Sequence, residues 1–241
     1  MKRNAIKLAV LSGFVVMATV GAKAQTSPQK PVSFWIRGGY NAANISTNAD
    51  GGINDAKTLS TFHAGATVDI PVAPVLSVQT GLLLNGQGAK TNWYVDEGNK
   101  SDNYVKTKFN PLYLQVPVNL VAKLPVSENA NFIFGAGPYA QVGVGGKSKV
   151  ETSFAGVQTS YSDNIKFSND DPLTDEEEGA RYDRLKRFDA GINALAGFEV
   201  DRFMITANYG LGLTKINSTQ SDNENDKNKF RTFSVGVGVR L

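Results

Sequence analysis

At 241 residues and 41% apolar content, the chain is long enough for one sizeable core or one membrane domain. It has no cysteine, which excludes disulfides, thiolate metal sites, a cysteine nucleophile and a lipid-bearing cysteine anchor. Its 25 basic and 22 acidic residues give a formal charge of +3, with no Arg/Lys stripe interleaved with aromatics of the kind that grips nucleic acid.

The chain starts with Lys2, Arg3 and Lys7, then an apolar core over residues 9–20, then Ala22-Lys23-Ala24. This order predicts an export leader over residues 1–24, cut before Gln25, with residues 25–241 as one domain. The core is too short for a spanning helix. Taking Lys2, Arg3, Lys7 and Lys23 from the 25 basic residues leaves 21 against 22 acidic ones, a balance of −1. The basic excess therefore belongs to targeting.

Side chains alternate between faces along a strand, so a period of two is the signature to follow. Strands are predicted over residues 32–41, 60–70, 74–87, 108–122, 130–145, 186–200, 202–215 and 229–241. The second sets Phe62, Ala64, Ala66, Val68 and Ile70 against His63, Gly65, Thr67 and Asp69. The fourth sets Leu112, Leu114, Val116, Val118 and Leu120 against Tyr113, Gln115, Asn119 and Lys123. In the fifth and sixth, rows led by Phe132 and Phe188 oppose Gly-rich polar rows that include Gln141, Asp189, Asn193 and Glu199. The seventh opposes Phe203, Ile205, Ala207 and Tyr209 to Thr206, Asn208 and Gly210, and the last opposes Phe233, Val235, Val237, Val239 and Leu241 to Ser234, Gly236, Gly238 and Arg240.

These runs approach the ~10 residues that a tilted strand needs to cross hydrocarbon. Short links at 71–73, 123–129 and around Asp201 alternate with long polar ones at 42–59, 88–107, 146–185 and 216–228. A free sheet edge finds no partner in lipid, so the first strand must pair with the last. The expected fold is all-β: an eight-stranded antiparallel transmembrane β-barrel, an up-and-down meander with long outer loops and short periplasmic turns, in the cell outer membrane. Phe34, Phe132, Phe198 and Phe203 fall near inner strand ends, and Tyr40, Phe62, Phe188 and Phe233 near outer ones, as two aromatic girdles would. A soluble lipocalin-like barrel with the apolar face inward is the alternative, disfavoured because the polar face is rich in Gly and poor in Lys and Glu.

The segments Phe34-Trp35-Ile36-Arg37-Gly38-Gly39-Tyr40-Asn41, Phe62 to Pro71, Tyr113 to Val118, Phe134 to Tyr139 and Asn208 to Leu211 resemble the PorT-type outer-membrane β-barrel family. The resemblance spans Val32 to Leu241 and consists of strand patterns rather than a catalytic signature. It implies the barrel fold and, because some members serve type IX secretion, an accessory role in a protein secretion apparatus. Leu241 departs from the aromatic with which such barrels usually end.

An eight-stranded barrel is narrow enough for side chains to fill it. Arg37 and Arg240 are expected on the lumen face, paired with Asp69, Asp189 or Glu199, because a buried charge is costly unless matched. A selective ion path, and hence a small channel, is the rival use of the same residues. His63 is the single histidine; Ser60 and Thr61 adjoin it in sequence, but strand neighbours point to opposite faces, so no triad and no enzyme is expected. Asp170, Asp171 and Asp175 to Glu178 crowd one link, where a calcium ion or simple solvation would both suit them. Trp93, Tyr94 and Tyr104 are expected to be exposed on an outer loop and offer a contact for a protein or glycan partner. The expected partners are outer-membrane lipid and a protein met through the outer loops, with no nucleic acid, no metal and no cofactor; the sequence sets no oligomeric state.

Overall fold

The computed structural model describes residues 31–46, 56–94, 103–168, 184–216 and 228–241. The expected leader over residues 1–24 and the acidic run Asp170–Glu178 lie outside the described residues. The strands are β1 (Ser33–Ile45), β2 (Leu59–Ala73), β3 (Leu76–Gly86), β4 (Ala89–Tyr94), β5 (Tyr104–Ser127), β6 (Ala130–Phe154), β7 (Val157–Asn164), β8 (Lys166–Ser168), β9 (Arg184–Lys186), β10 (Phe188–Val200), β11 (Phe203–Gly212) and β12 (Phe230–Arg240).

Eight of them close a ring in the order β1-β2-β3-β5-β6-β10-β11-β12 and back to β1, all antiparallel. Closure joins the first strand to the last, with Trp35 opposite Arg240 and Ile45 opposite Phe230. All eight spanning strands expected from parity are present, and short turns link β2–β3, β5–β6 and β10–β11 at one end.

The apolar rows face outward. Val237 is 61% exposed, Ile192 46% and Leu120 53%. A lipocalin-like barrel would bury these residues, so that alternative falls. Both girdles form on this outer face. Tyr40 lies directly opposite Phe62, and Tyr209 opposite Phe233. At the other end Phe132 lies opposite Phe198, their ring centroids 5.2 Å apart.

Within the expected links 88–107 and 146–185, the described residues 88–94, 103–107 and 146–168 are not plain loops. β5 and β6 continue past the girdle as one long hairpin, flanked by β4 and β7, so a four-stranded sheet stands above the barrel. The register shifts opposite Leu112 and Tyr113, next to Gly146, whose φ of +143° suits only glycine. Gly88, at φ +119°, makes the matching break between β3 and β4. Tyr104 is 5% exposed rather than open to solvent, while Trp93 is 62% exposed. A parallel pair, β8 and β9, lies near the outer mouth.

Candidate functional site

The lumen can be followed along β1, because its odd-numbered side chains point inward one after another. Trp35, toward the inner end, is 1% exposed and packs with Val121, Ile133, Leu195 and Met204 as a plug of apolar side chains. These four sit at polar-face positions of their strands, where sequence reading passed over them as exceptions. Their shared parity is the signal that could have found them.

Arg37 comes next. Its guanidinium donates to Gln79 Oε1 at 2.8 Å and to Thr206 Oγ1 at 2.9 Å. The expected direct ion pair with an acid is not formed; two neutral acceptors on β3 and β11 hold the guanidinium across the lumen. Gly39 follows and leaves room for the His63 ring. His63 Nδ1 is 2.7 Å from Asn41 Oδ1, Asn41 donates to Asn85 at 2.7 Å, and Asn85 donates to Gln115 at 2.6 Å. This chain ties β2, β1, β3 and β5. Ser60 instead bonds Tyr40 on the outer surface, so the lumen histidine and the neighbouring hydroxyl diverge as parity requires.

The acids of the expected network separate. Asp69 and Glu199 come together at the inner mouth, but around Lys123, whose Nζ lies 2.9 Å from Asp69 Oδ2 and 2.8 Å from Glu199 Oε1. Parity placed Lys123 on the lumen face without assigning it a partner. Asp189 sits toward the other end, where it accepts from Gln141 at 2.7 Å and from the Thr214 hydroxyl. Arg240 is exposed at the inner rim with its guanidinium 5.9 Å from the Trp35 ring centroid, because it lies one step beyond the last lumen-facing glycine.

The outer mouth is closed by a second apolar cluster. Phe109, Tyr113, Ile165, Leu185, Ile216 and Phe230 pack with Ile45 and Ala89, and Phe167 of β8 leans edge-on against Tyr113 at 5.5 Å. Between the closures a cavity of about 70 Å³ is lined by Arg37, His63, Asn85, Gln115 and Tyr139, among others. That volume suits a few water molecules, since one needs ~10–15 Å³ of this measure. A wider recess of about 250 Å³ opens at the inner mouth beside Asp69, Lys123 and Glu199.

The family described as outer membrane protein beta-barrel domain matches residues 23–218. No curated protein sequence matches the chain. Among solved structures, Ail, the attachment invasion locus protein of Yersinia pestis, is similar at 17% identity and a TM-score of 0.39, covering 88% of this chain and 100% of that one. Neisserial surface protein A is similar at 10% identity and a TM-score of 0.41, again covering 88% and 100%. These likenesses assign no residue of this chain a role.

Proposed function

The chain belongs to the outer membrane protein beta-barrel domain family and sits in the cell outer membrane, and we propose that it acts there as a non-enzymatic interaction protein whose stem does not conduct. The supporting observation is double closure of the lumen: an apolar plug around Trp35 at one end and a packed cap around Tyr113 and Phe167 at the other. A stem filled in this way carries the β4–β5–β6–β7 sheet on the outer side of the membrane, and the upper part of that sheet is the surface a partner would meet. The finer role is an accessory part of a protein secretion apparatus, as the resemblance to PorT-type barrels implies.

The test is single-channel recording in planar bilayers alongside crosslinking from cysteines placed on β7. We expect no ion conductance and specific crosslinks to another outer-membrane or exported protein. Steady conductance would favour the small-channel reading, for which the central cavity and the inner recess would be the route.

A further inference from the structure

Four lysines stand in one row across the upper sheet. Lys57 bridges Lys90, with mutual backbone hydrogen bonds of 2.6 and 2.9 Å. Lys90 is directly opposite Lys108 on β5, and Lys108 is directly opposite Lys149 on β6. Residues opposite one another in an antiparallel pair share a face with their Cβ atoms ~5 Å apart, so like charges there repel. Lys106 lies one same-face step above the row and Lys147 one step below.

Among the described residues, one carboxylate answers this face. Glu151 reaches Lys149 at 3.8 Å and accepts the Tyr104 hydroxyl at 3.0 Å. A row of directly opposed cations costs stability unless an anion outside the sheet lies across it.

The position of the row identifies that anion. Lys108 has the same parity on β5 as Leu112, Leu114 and Leu120, and no bulge on β5 separates them. The lysines therefore continue the lipid-facing surface, four residues past Leu112, ~13 Å along the strand. That is headgroup height, and lysine stems reach several ångströms further toward it.

We propose that Lys57, Lys90, Lys108 and Lys149 form a binding site for the phosphomonoester headgroups of outer-leaflet lipids. The site rests on the barrel's place in the membrane and not on the interaction reading above. Successive lysines ~5 Å apart can share a phosphate's oxygens as point-charge donors. The row thus anchors the base of the upper sheet to the membrane surface.

The test uses the full chain in phosphatidylcholine vesicles containing either diphosphorylated lipid A or its dephosphorylated form. Wild-type protein should retain the diphosphorylated lipid through detergent extraction and melt higher with it than with the dephosphorylated form. Each basic residue near an anionic surface contributes ~1 kcal/mol, so Lys90→Gln, Lys108→Gln and Lys149→Gln together should weaken retention ~100-fold. In vesicles with the dephosphorylated lipid the triple variant should melt no lower than wild type, because removing opposed like charges relieves repulsion. Equal retention by the variant would overturn the proposal. A variant that melts lower with both lipids would assign the lysines to the protein's own carboxylates, with the same consequence. Displacement by soluble tripolyphosphate with no preference between the lipids would make the ligand a free polyanion and would likewise overturn it. Conductance enters none of these readouts, so they stand apart from the test of the plugged stem.

Discussion

Lys123 on β5 places its ammonium 2.9 Å from the Asp69 carboxylate on β2, across the intervening strand β3. The same ammonium reaches Glu199 on β10 at 2.8 Å, two strands away in the other direction. One cation therefore clamps five consecutive strands at the inner mouth. Removing it would leave two buried carboxylates facing each other, a loss of ~3–5 kcal/mol. Lys123→Met should lower stability on that scale in urea unfolding followed by the heat-modifiable gel shift. Adding Asp69→Asn and Glu199→Gln should restore most of the loss. A single variant as stable as wild type would show that the clamp is idle.

Arg37 holds the lumen by a different device, since both of its partners are neutral. Arg37→Ala should cost ~2–4 kcal/mol, from two lost charge-assisted hydrogen bonds and the packing of the side chain. Conductance should stay absent, because Trp35 and the outer cap remain. A variant of unchanged stability that conducts would reverse the assignment of Arg37 from brace to gate.

The spanning strands were legible because lipid on one side and a narrow lumen on the other impose period two without relief. Val235, Val237 and Val239 announce their face with no neighbour needed. The upper sheet was not legible, for a reason visible in β5 and β6. Above Pro111 the sense of the alternation inverts, with Phe109 buried inside and Lys108 outside, so apolar no longer means outward. In β6 the register shift near Gly146 also changes the parity, and Lys147 and Lys149 fall on the face that Val142 occupied below. A strand that changes both face and polarity at a glycine reads as the start of a loop. The lumen network was half legible for a related reason: parity gave the face of Arg37, Asp69, Glu199 and Lys123, but strand stagger decides which of them meet.

The outer end of the β5–β6 pair, away from its turn, carries a pH-sensitive contact. Tyr104 donates to Glu151 Oε1 at 3.0 Å, and this hydrogen bond raises the phenol's pKa above its ordinary 10.0. The folded state thus favours the protonated phenol. The contact is fully present below the unfolded value and is lost as pH rises through the raised one. Ultraviolet titration of wild type against Tyr104→Phe should assign the late phenolate to this residue, and Glu151→Gln should bring it down. Titration of Tyr104 at or below 10.0 in wild type would contradict the geometry.

The outer cap depends on glycine at position 143. A Cβ built there meets the Phe167 ring directly, so even alanine displaces the ring from its seat beside Tyr113. Gly143→Val should undock β8 while leaving the girdled barrel folded. Limited trypsin digestion of vesicles should then cut at Lys166 or Arg187 faster than in wild type. Equal cleavage rates would mean that Phe167 does not hold the cap.

His63 fills space that two glycines leave open. A Cβ on Gly236 would sit 2.7 Å from His63 Nε2 and 3.1 Å from its Cε1, with the nearest backbone atom at 3.2 Å. The obstruction is therefore the imidazole, and the imidazole is fixed by Asn41 at 2.7 Å. Overpacking of this kind costs ~1–3 kcal/mol, because the ring must move and break the amide chain that begins with it. Gly236→Ala should be destabilising by that amount. In a His63→Ala background the same change should cost far less, since the obstacle has gone. Equal penalties in both backgrounds would place the strain in the β1–β12 backbone and remove His63 from its role as the lumen's filler.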